Sequence, residues 1–375
     1  MKCIMLLVFL SLGSFSVMAH KPSDSYLALN VEGKHVQGQW DIALRDLDYA
    51  MGLDTNDDGS IIWSELRERK EAVYAYALNR HAITADKKNC PLKPADILVD
   101  KHSDGHYAVL NFQAACLADV HQLSIAYRLF FDIDAQHRGL LKLTRNERTD
   151  TAIFSPDRKQ VEFALNSVRK PWQELLNFAY EGVWHIWMGY DHILFLLSLL
   201  LPAALVRENS GWRPKQRFSQ AFWDVLAVVT AFTLAHSITL SLAVLGYISL
   251  PTRWVESAIA ASVVIAALNN IYPIFVHRRT WFAFSFGLIH GMGIASVLLD
   301  MGLPDGQRVL SLLGFNLGVE VGQLAIVSIA LPLITLFSQY RYYPELVMKL
   351  GSACIAIVAL FWLAERSLDF QMNIL

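Results

Sequence analysis

Residues 183–366 hold six long apolar runs, at about 183–205, 220–248, 254–276, 281–300, 309–337 and 346–365. Each is long enough to cross the roughly 30 Å of hydrocarbon in a bilayer as a helix. Lipid offers no partner to a backbone N–H or C=O, so such runs must close their hydrogen bonds as helices. Residues 20–170 differ: they are mixed in charge and rich in Asp, Lys, Arg and His, like a soluble domain. The 54% apolar content therefore averages two unlike halves. A net charge of −2 gives no reason to expect nucleic acid as a partner.

The first 19 residues read as a secretory signal. Lys2 precedes an apolar core, CIMLLVFLSLGSFSV, and Val17-Met18-Ala19 places small residues at −3 and −1 of a cleavage site. Residues 20–170 are then exported. Loop charge gives the same topology independently. Arg207, Arg213, Lys215 and Arg217 lie in the loop 206–219, Arg278 and Arg279 in 277–280, and Arg341 in 338–345. The alternate loops hold Arg253 alone and DMGLPDGQR, which carries Asp300, Asp305 and Arg308. The positive-inside rule puts the first set in the cytoplasm of a bacterial-type inner membrane, with the exported domain and the tail 367–375 outside.

Within the exported domain Val36, Gly38, Trp40, Ile42 and Leu44 alternate with polar neighbours, a strand signature. HYAVLNF, LSIAYRLFFDI, GLLKLT, TAIFS and QVEFAL read as further short strands. Residues 65–80 have helical composition, with Ser64 at the cap position. Pro171 opens WQELLNFAYEGVW, an amphipathic juxtamembrane segment over 171–182. The expected fold class is mixed: a β-rich exported domain with an EF-hand-like loop, then a six-helix transmembrane bundle. Cys90 and Cys116 share the oxidising compartment and are expected to form a disulfide. Cys354 lies in an apolar run and reads as a core thiol.

Residues 54–65 read DTNDDGSIIWSE. Asp54, Asn56 and Asp58 occupy positions 1, 3 and 5 of an EF-hand loop, the Ser60 carbonyl position 7 and Glu65 position 12. Alternate oxygens converge on a hard cation, and Gly59 permits the sharp turn. Ca²⁺ is expected here, in a structural role, because only one such loop is present. His20, the first residue after cleavage, offers an amine and an imidazole that can chelate copper or nickel.

Ionisable residues also sit inside the apolar runs. His185, Asp191 and His192 are in the first, His236 in the second, His290 in the fourth and Glu320 in the fifth, with Glu256 near the outer end of the third. A charge at mid-bilayer costs at least about 2.5–3.5 kcal/mol, so such residues are functional by default. At about 1.5 Å per residue they reach a common depth. His185 and His192 are seven apart and would share a helix face, and Asp191 either binds an ion or orients an imidazole. This nitrogen and oxygen donor set suits Ni²⁺, Co²⁺, Zn²⁺ or Fe²⁺.

His185, Gly189, Asp191 and His192 form H-x3-G-x-D-H, which resembles the first-span signature of the HupE/UreJ family of membrane proteins. FTLAHSITL, FGLIHGMG and GFNLGVEVGQ look like that family's later segments. The resemblance covers about 183–366 and is to the branch with a large exported domain. The signature often has proline after its first histidine, where Ile186 stands here. The resemblance implies nickel uptake for hydrogenase and urease. The leading expectation is a nickel or cobalt permease using Asp191, His192, His236 and His290 with support from Glu320. No nucleotide-binding loop is present, so transport would be passive or coupled to an ion gradient. The first alternative is an intramembrane Zn²⁺ hydrolase on the same ligands, with Glu320 as general base. The second is an exported sensor or assembly factor on a membrane anchor. A periplasmic or metalloenzyme-maturation partner is compatible with the exported domain, and the sequence does not identify one.

Overall fold

The computed structural model describes residues 23–102, 105–146, 148–165, 171–208, 211–275, 278–300 and 305–368. The expected signal 1–19 and His20 lie outside the described residues, as do the residues from 369 onward.

The first half is β-rich. β1 (Asp24–Glu32) and β2 (His35–Ala43) form an antiparallel pair joined through Gly33, whose φ of +58° favours glycine. β3 (His81–Ala85), β4 (Lys88–Asn89), β5 (Leu92–Lys101), β6 (His106–Ala115), β7 (Gln122–Tyr127), β8 (Arg138–Arg145), β9 (Arg148–Phe154) and β10 (Gln160–Ala164) follow. They make a six-stranded sheet in the order β5-β6-β2-β1-β8-β9 and a four-stranded sheet in the order β10-β7-β3-β4. Val36, Gly38, Trp40 and Ile42 are buried on β2, as their alternation requires. Leu27, Trp40 and Leu141 from the first sheet meet Ile83, Ile125 and Val161 from the second in one core. Gly38 leaves room for Phe112: a Cβ there would lie 2.2 Å from the ring. Cys90 and Cys116 form the expected disulfide.

The helical insertion differs in detail from expectation. α1 (Leu44–Met51) takes Leu44 out of the strand. The single helix expected over 65–80 is two, α2 (Trp63–Glu68) and α3 (Lys70–Leu78), divided at Arg69. Ser64 does not cap. The helix begins two residues earlier, at Trp63, because Glu65 turns back to accept the Ile62 N–H at 3.0 Å.

The second half is helical: α4 (Pro171–Met188), α5 (Tyr190–Leu200), α6 (Phe218–Val244), α7 (Thr252–Ile271), α8 (Arg279–His290), α9 (Ala295–Asp300), α10 (Asp305–Ser338) and α11 (Leu350–Leu368). A short hairpin, β11 (Leu205–Glu208) and β12 (Gly211–Pro214), joins α5 to α6, and a π-helical segment, Tyr343–Lys349, leads into α11. Four of the described helices are long and apolar enough to cross a membrane, or five if α4 and α5 count as one broken span. The expectation of six continuous spans is thus corrected in two places. The first span bends by 70° at Gly189. The fourth is interrupted between His290 and Ala295, where the chain turns through Gly291 and Gly293.

Close backbone approach explains these glycines. A Cβ on Gly291 would lie 2.3 Å from His236 O, and one on Gly287 would lie 2.4 Å from Phe232 O, so α8 runs against α6. Gly314 and Gly318 likewise bring α10 onto the Leu175 and Ala179 carbonyls of α4. Residues 171–182 are therefore the packed first half of α4, and the expected boundary at 183 falls inside a helix. Cys354 points outward and is exposed, contrary to a core role. Apolar composition alone cannot separate a lipid-facing thiol from a buried one.

The β-rich domain docks on one end of the bundle. Leu140, Tyr26 and Ile153 join a cluster with Leu240, Ala243 and Val244 at the end of α6. Gln136 Nε2 donates to Met188 O at 3.2 Å, beside the bend in the first span.

Candidate metal centre

The bend at Gly189 builds the site. A side chain there would strike His185 O at 2.7 Å and His192 Nδ1 at 2.8 Å, so the tight turn depends on glycine. α5 starts afresh after it, and Asp191 Oδ1 accepts the His192 N–H at 2.8 Å. The fold brings the His185 and His192 rings to 4.7 Å between centroids. They meet across a break and not along one straight helix face. His236 from α6 stands 6.2 Å from His185 and 6.3 Å from His192, and His290 from α8 stands 4.8 Å from His192.

One ligand nitrogen each from His185, His192 and His236 lies within 4.8 Å of the others. Among the described residues no other group of three or more His, Cys, Asp or Glu converges in this way. His192, His236 and His290 are buried, His236 and His290 completely.

The neighbours decide which nitrogen of each ring carries the proton. His192 Nδ1 lies 2.9 Å from Asp191 Oδ1, so a carboxylate takes that N–H. Asn316 Nδ2 donates to Leu312 O at 2.8 Å, which turns Asn316 Oδ1 toward His236 Nδ1 at 3.4 Å. Ser262 gives its hydroxyl hydrogen to Ile259 O at 2.6 Å and so accepts from His290 Nε2 at 2.9 Å. The protons of the His192, His236 and His290 rings are thus held on the side away from the cluster. Nε2 of His185, His192 and His236, and Nδ1 of His290, are buried without a hydrogen-bond partner. A buried polar atom left unpaired costs about 1–3 kcal/mol. Several imidazole lone pairs in one small volume fit a transition-metal ion, and the carboxylate behind His192 is the usual way to orient a ligating histidine.

Asp191 is therefore an orienting group in this geometry: its Oδ1 holds His192, and its Oδ2 pairs with Arg366 at 3.7 Å. Glu320 is not brought to the cluster. It accepts a hydrogen bond from Thr230 Oγ1 at 3.2 Å, six residues along α6 from His236, about 9 Å toward the end remote from the β-rich domain. Thr233, between Thr230 and His236 on α6, donates from Oγ1 to Gln323 Oε1 at 2.9 Å, and Gln323 follows Glu320 by three residues on α10. Residue counting put Glu320 level with the histidines, but it stands one helical turn along α10 beyond Asn316 and reaches Thr230. Asn316, Ser262 and Arg366 were not foreseen as partners. Asn316 stood in the sequence one turn before Glu320, but nothing marked Ser262 or Arg366.

A family model described as HupE / UreJ protein matches residues 160–366. The chain belongs to the HupE/UreJ family. Among curated proteins none matches it. The HupE/UreJ signature residues His185, Gly189, Asp191 and His192 are those that form the bend and one wall of the cluster. His185 takes part although Ile186, and not proline, follows it. With four to five apolar helices, this HupE/UreJ chain is a membrane protein.

In the β-rich domain, the loop 54–65 is closed by its own side chains. Asp54 Oδ2 accepts the Gly59 N–H at 2.7 Å, Asp58 Oδ1 the Ser60 N–H at 2.8 Å and Asn56 Oδ1 the Asp58 N–H at 3.0 Å. Gly59 has a φ of +79°. Glu65 is buried and accepts from the Thr55 N–H at 2.8 Å and the Ile62 N–H at 3.0 Å. Those donors, Ile62 first, hold its carboxyl below the usual carboxylate range. Asp54, Asp58 and Glu65 do not form a converged group like the three histidines.

Proposed function

We propose that this protein is a transition-metal permease of the inner membrane, with Ni²⁺ or Co²⁺ as first candidates. The observation that carries the proposal is the meeting of one ligand nitrogen each from His185, His192 and His236, three rings whose Nε2 atoms are buried and unpartnered. The ion is the cargo. His185, His192 and His236 bind it, with His290 Nδ1 at the edge of the site. Asp191 and Asn316 keep His192 and His236 in the tautomers that ligate. Three neutral imidazoles give affinity without the full charge of several carboxylates, which favours release. From the cluster, Thr233, Gln323, Thr230 and Glu320 form a polar line along α6 and α10. Glu320 is then a second station for the cation on its way to the far side.

The basic loops face the cytoplasm in this reading, with the β-rich domain and the C-terminus exported. The docking of that domain at the end of α6 away from the basic hairpin agrees with it. A six-span count follows if α4 with α5, and α8 with α9, each cross as broken spans. The loop 54–65 holds Ca²⁺ as a structural ion through Asp54, Asn56, Asp58, the Ser60 carbonyl and Glu65, after a small rotation of Glu65 away from Ile62. The hydrolase alternative is less well served, because its general base, Glu320, sits at the level of Thr230.

The test is uptake of Ni²⁺, Co²⁺, Zn²⁺ and Cu²⁺ into liposomes holding the purified full chain. Selective uptake that is lost in His192→Ala and strongly reduced in Asp191→Asn supports the permease. Stoichiometric binding with no uptake of any ion overturns it and returns the hydrolase reading.

A further inference from the structure

The end of the bundle remote from the β-rich domain has a cavity of about 290 Å³. Its deep wall is apolar: Leu196, Leu199 and Leu200 of α5, and Val225, Val228 and Val229 of α6. Its mouth is basic, lined by Arg207, Lys215 and Arg279, with Asp224 the one acidic residue among the lining. Lys215 Nζ lies 2.6 Å from Asp224 Oδ2, which neutralises one charge of each sign. Arg207 and Arg279 remain. Their side chains are anchored, since Arg207 Nη1 donates to Pro273 O at 3.2 Å and Arg279 Nη1 to Pro202 O at 3.1 Å. Both guanidiniums stand about the Trp212 ring, at 5.9 and 6.0 Å from its centroid. Among the described residues neither has a carboxylate within 4.0 Å. Each keeps most of its five donors for something else.

Two fixed, half-buried guanidiniums over an apolar slot between spans ask for a ligand with an anionic head and a hydrocarbon body. A divalent cation is a poor fit, because the mouth carries three cations against one carboxylate. We propose that this cavity is a binding site for an anionic phospholipid, the phosphodiester on Arg207 and Arg279 and an acyl chain along Leu199, Val225 and Val228. Planar guanidiniums recognise phosphate oxygens by paired hydrogen bonds. Basic pockets between spans at a cytoplasmic surface are suited to anionic headgroups. The bound lipid wedges α5 against α6, one helical turn along α5 from His192 and about two turns along α6 from His236. This site is independent of which ion the cluster carries.

The experiment uses the full chain, delipidated in detergent and placed in phosphatidylcholine nanodiscs doped with phosphatidylglycerol or with phosphatidylethanolamine. Native mass spectrometry counts retained lipid. The expected result is one phosphatidylglycerol per chain, not replaced by phosphatidylethanolamine. Arg207→Gln and Arg279→Gln should each weaken retention about fivefold. Arg213→Gln, on the same hairpin but outside the cavity, should not. Ala227→Trp, which fills the apolar wall, should also expel the lipid. Equal retention of phosphatidylethanolamine, or unchanged retention in both guanidinium variants, would overturn the proposal. Displacement by inorganic phosphate with Ala227→Trp silent would assign the site to free phosphate and overturn the lipid. Thermal stability of each variant, read without added lipid, separates loss of the site from loss of the fold.

Discussion

His137 in the β-rich domain and His192 in the bundle are both buried imidazoles, and they are treated in opposite ways. His137 is satisfied on both nitrogens. Ser23 gives its hydroxyl hydrogen to Asp46 at 2.7 Å and accepts from His137 Nδ1 at 2.6 Å. His137 Nε2 accepts from Tyr127 OH at 2.6 Å, Tyr127 from Ser25 at 2.6 Å, and Ser25 from Trp40 Nε1 at 3.2 Å. Every donor in this line has an acceptor, and it ends on a carboxylate. His192 has its proton fixed by Asp191 and its other nitrogen bare. A closed network holds a core together, and a set of half-closed ones that converge makes a site. His81 is the control: its Nε2 is also unpartnered, but it lies between Trp40 and Phe112 and, among the described residues, joins no converging group of three or more ligands.

The largest difference is expected from deleting one imidazole in each region. His192→Ala should lower Ni²⁺ affinity by more than about 100-fold, read by titration of the purified chain, because it removes a ligand and not its support. His137→Ala should leave metal stoichiometry unchanged. It should cost about 2–3 kcal/mol in denaturant unfolding of the β-rich domain, because Tyr127 and Ser23 lose their partner in the core. Equal effects of both variants on metal binding would erase the distinction.

Removing an orienting group should cost less than removing a ligand. Asp191→Asn and Asn316→Ala should each weaken metal binding about 10- to 100-fold while preserving stoichiometry. Glu320→Gln should leave affinity at the cluster within about threefold, since Thr230 and not His236 is its partner, and should slow uptake instead.

A smaller effect concerns pH. Burial lowers His81 to about 4, and burial with the neighbouring Arg138 charge lowers His137 to about 3. Between those values and the ordinary 6.5 the unfolded chain binds more protons than the native one. Stability of the β-rich domain is therefore full above about pH 6.5 and falls as the pH drops, by at most about 1.4 kcal/mol per unit for each group. Chemical denaturation from pH 7 to 5 checks the sign, and His81→Phe should flatten the slope. Glu65, held low, adds stability that is present above the ordinary carboxylate range and is lost only at more acidic pH.

Much of this was legible in the sequence. The alternation of Val36, Gly38, Trp40 and Ile42 announced β2, the compartment paired Cys90 with Cys116, and the long apolar runs announced the membrane helices. The histidines of the cluster were legible because an imidazole in an apolar run needs a reason. What the sequence could not carry was direction. The Gly189 break, the inward turn of α4 onto Gly314 and Gly318, and the outward face of Cys354 depend on which backbones approach, and apolar composition is blind to that. Glu320 was misplaced in height: counting along its own run put it level with the histidines, and the packing of α10 on α6 sets it beside Thr230.

The most direct test is the metal-edge X-ray absorption spectrum of the full chain loaded with one Ni²⁺ in nanodiscs. The expected spectrum shows about three imidazole nitrogens around the ion, falling by one in His192→Ala and keeping the nitrogen count in Asp191→Asn. A shell dominated by carboxylate or water oxygens, unchanged in His192→Ala, would contradict it.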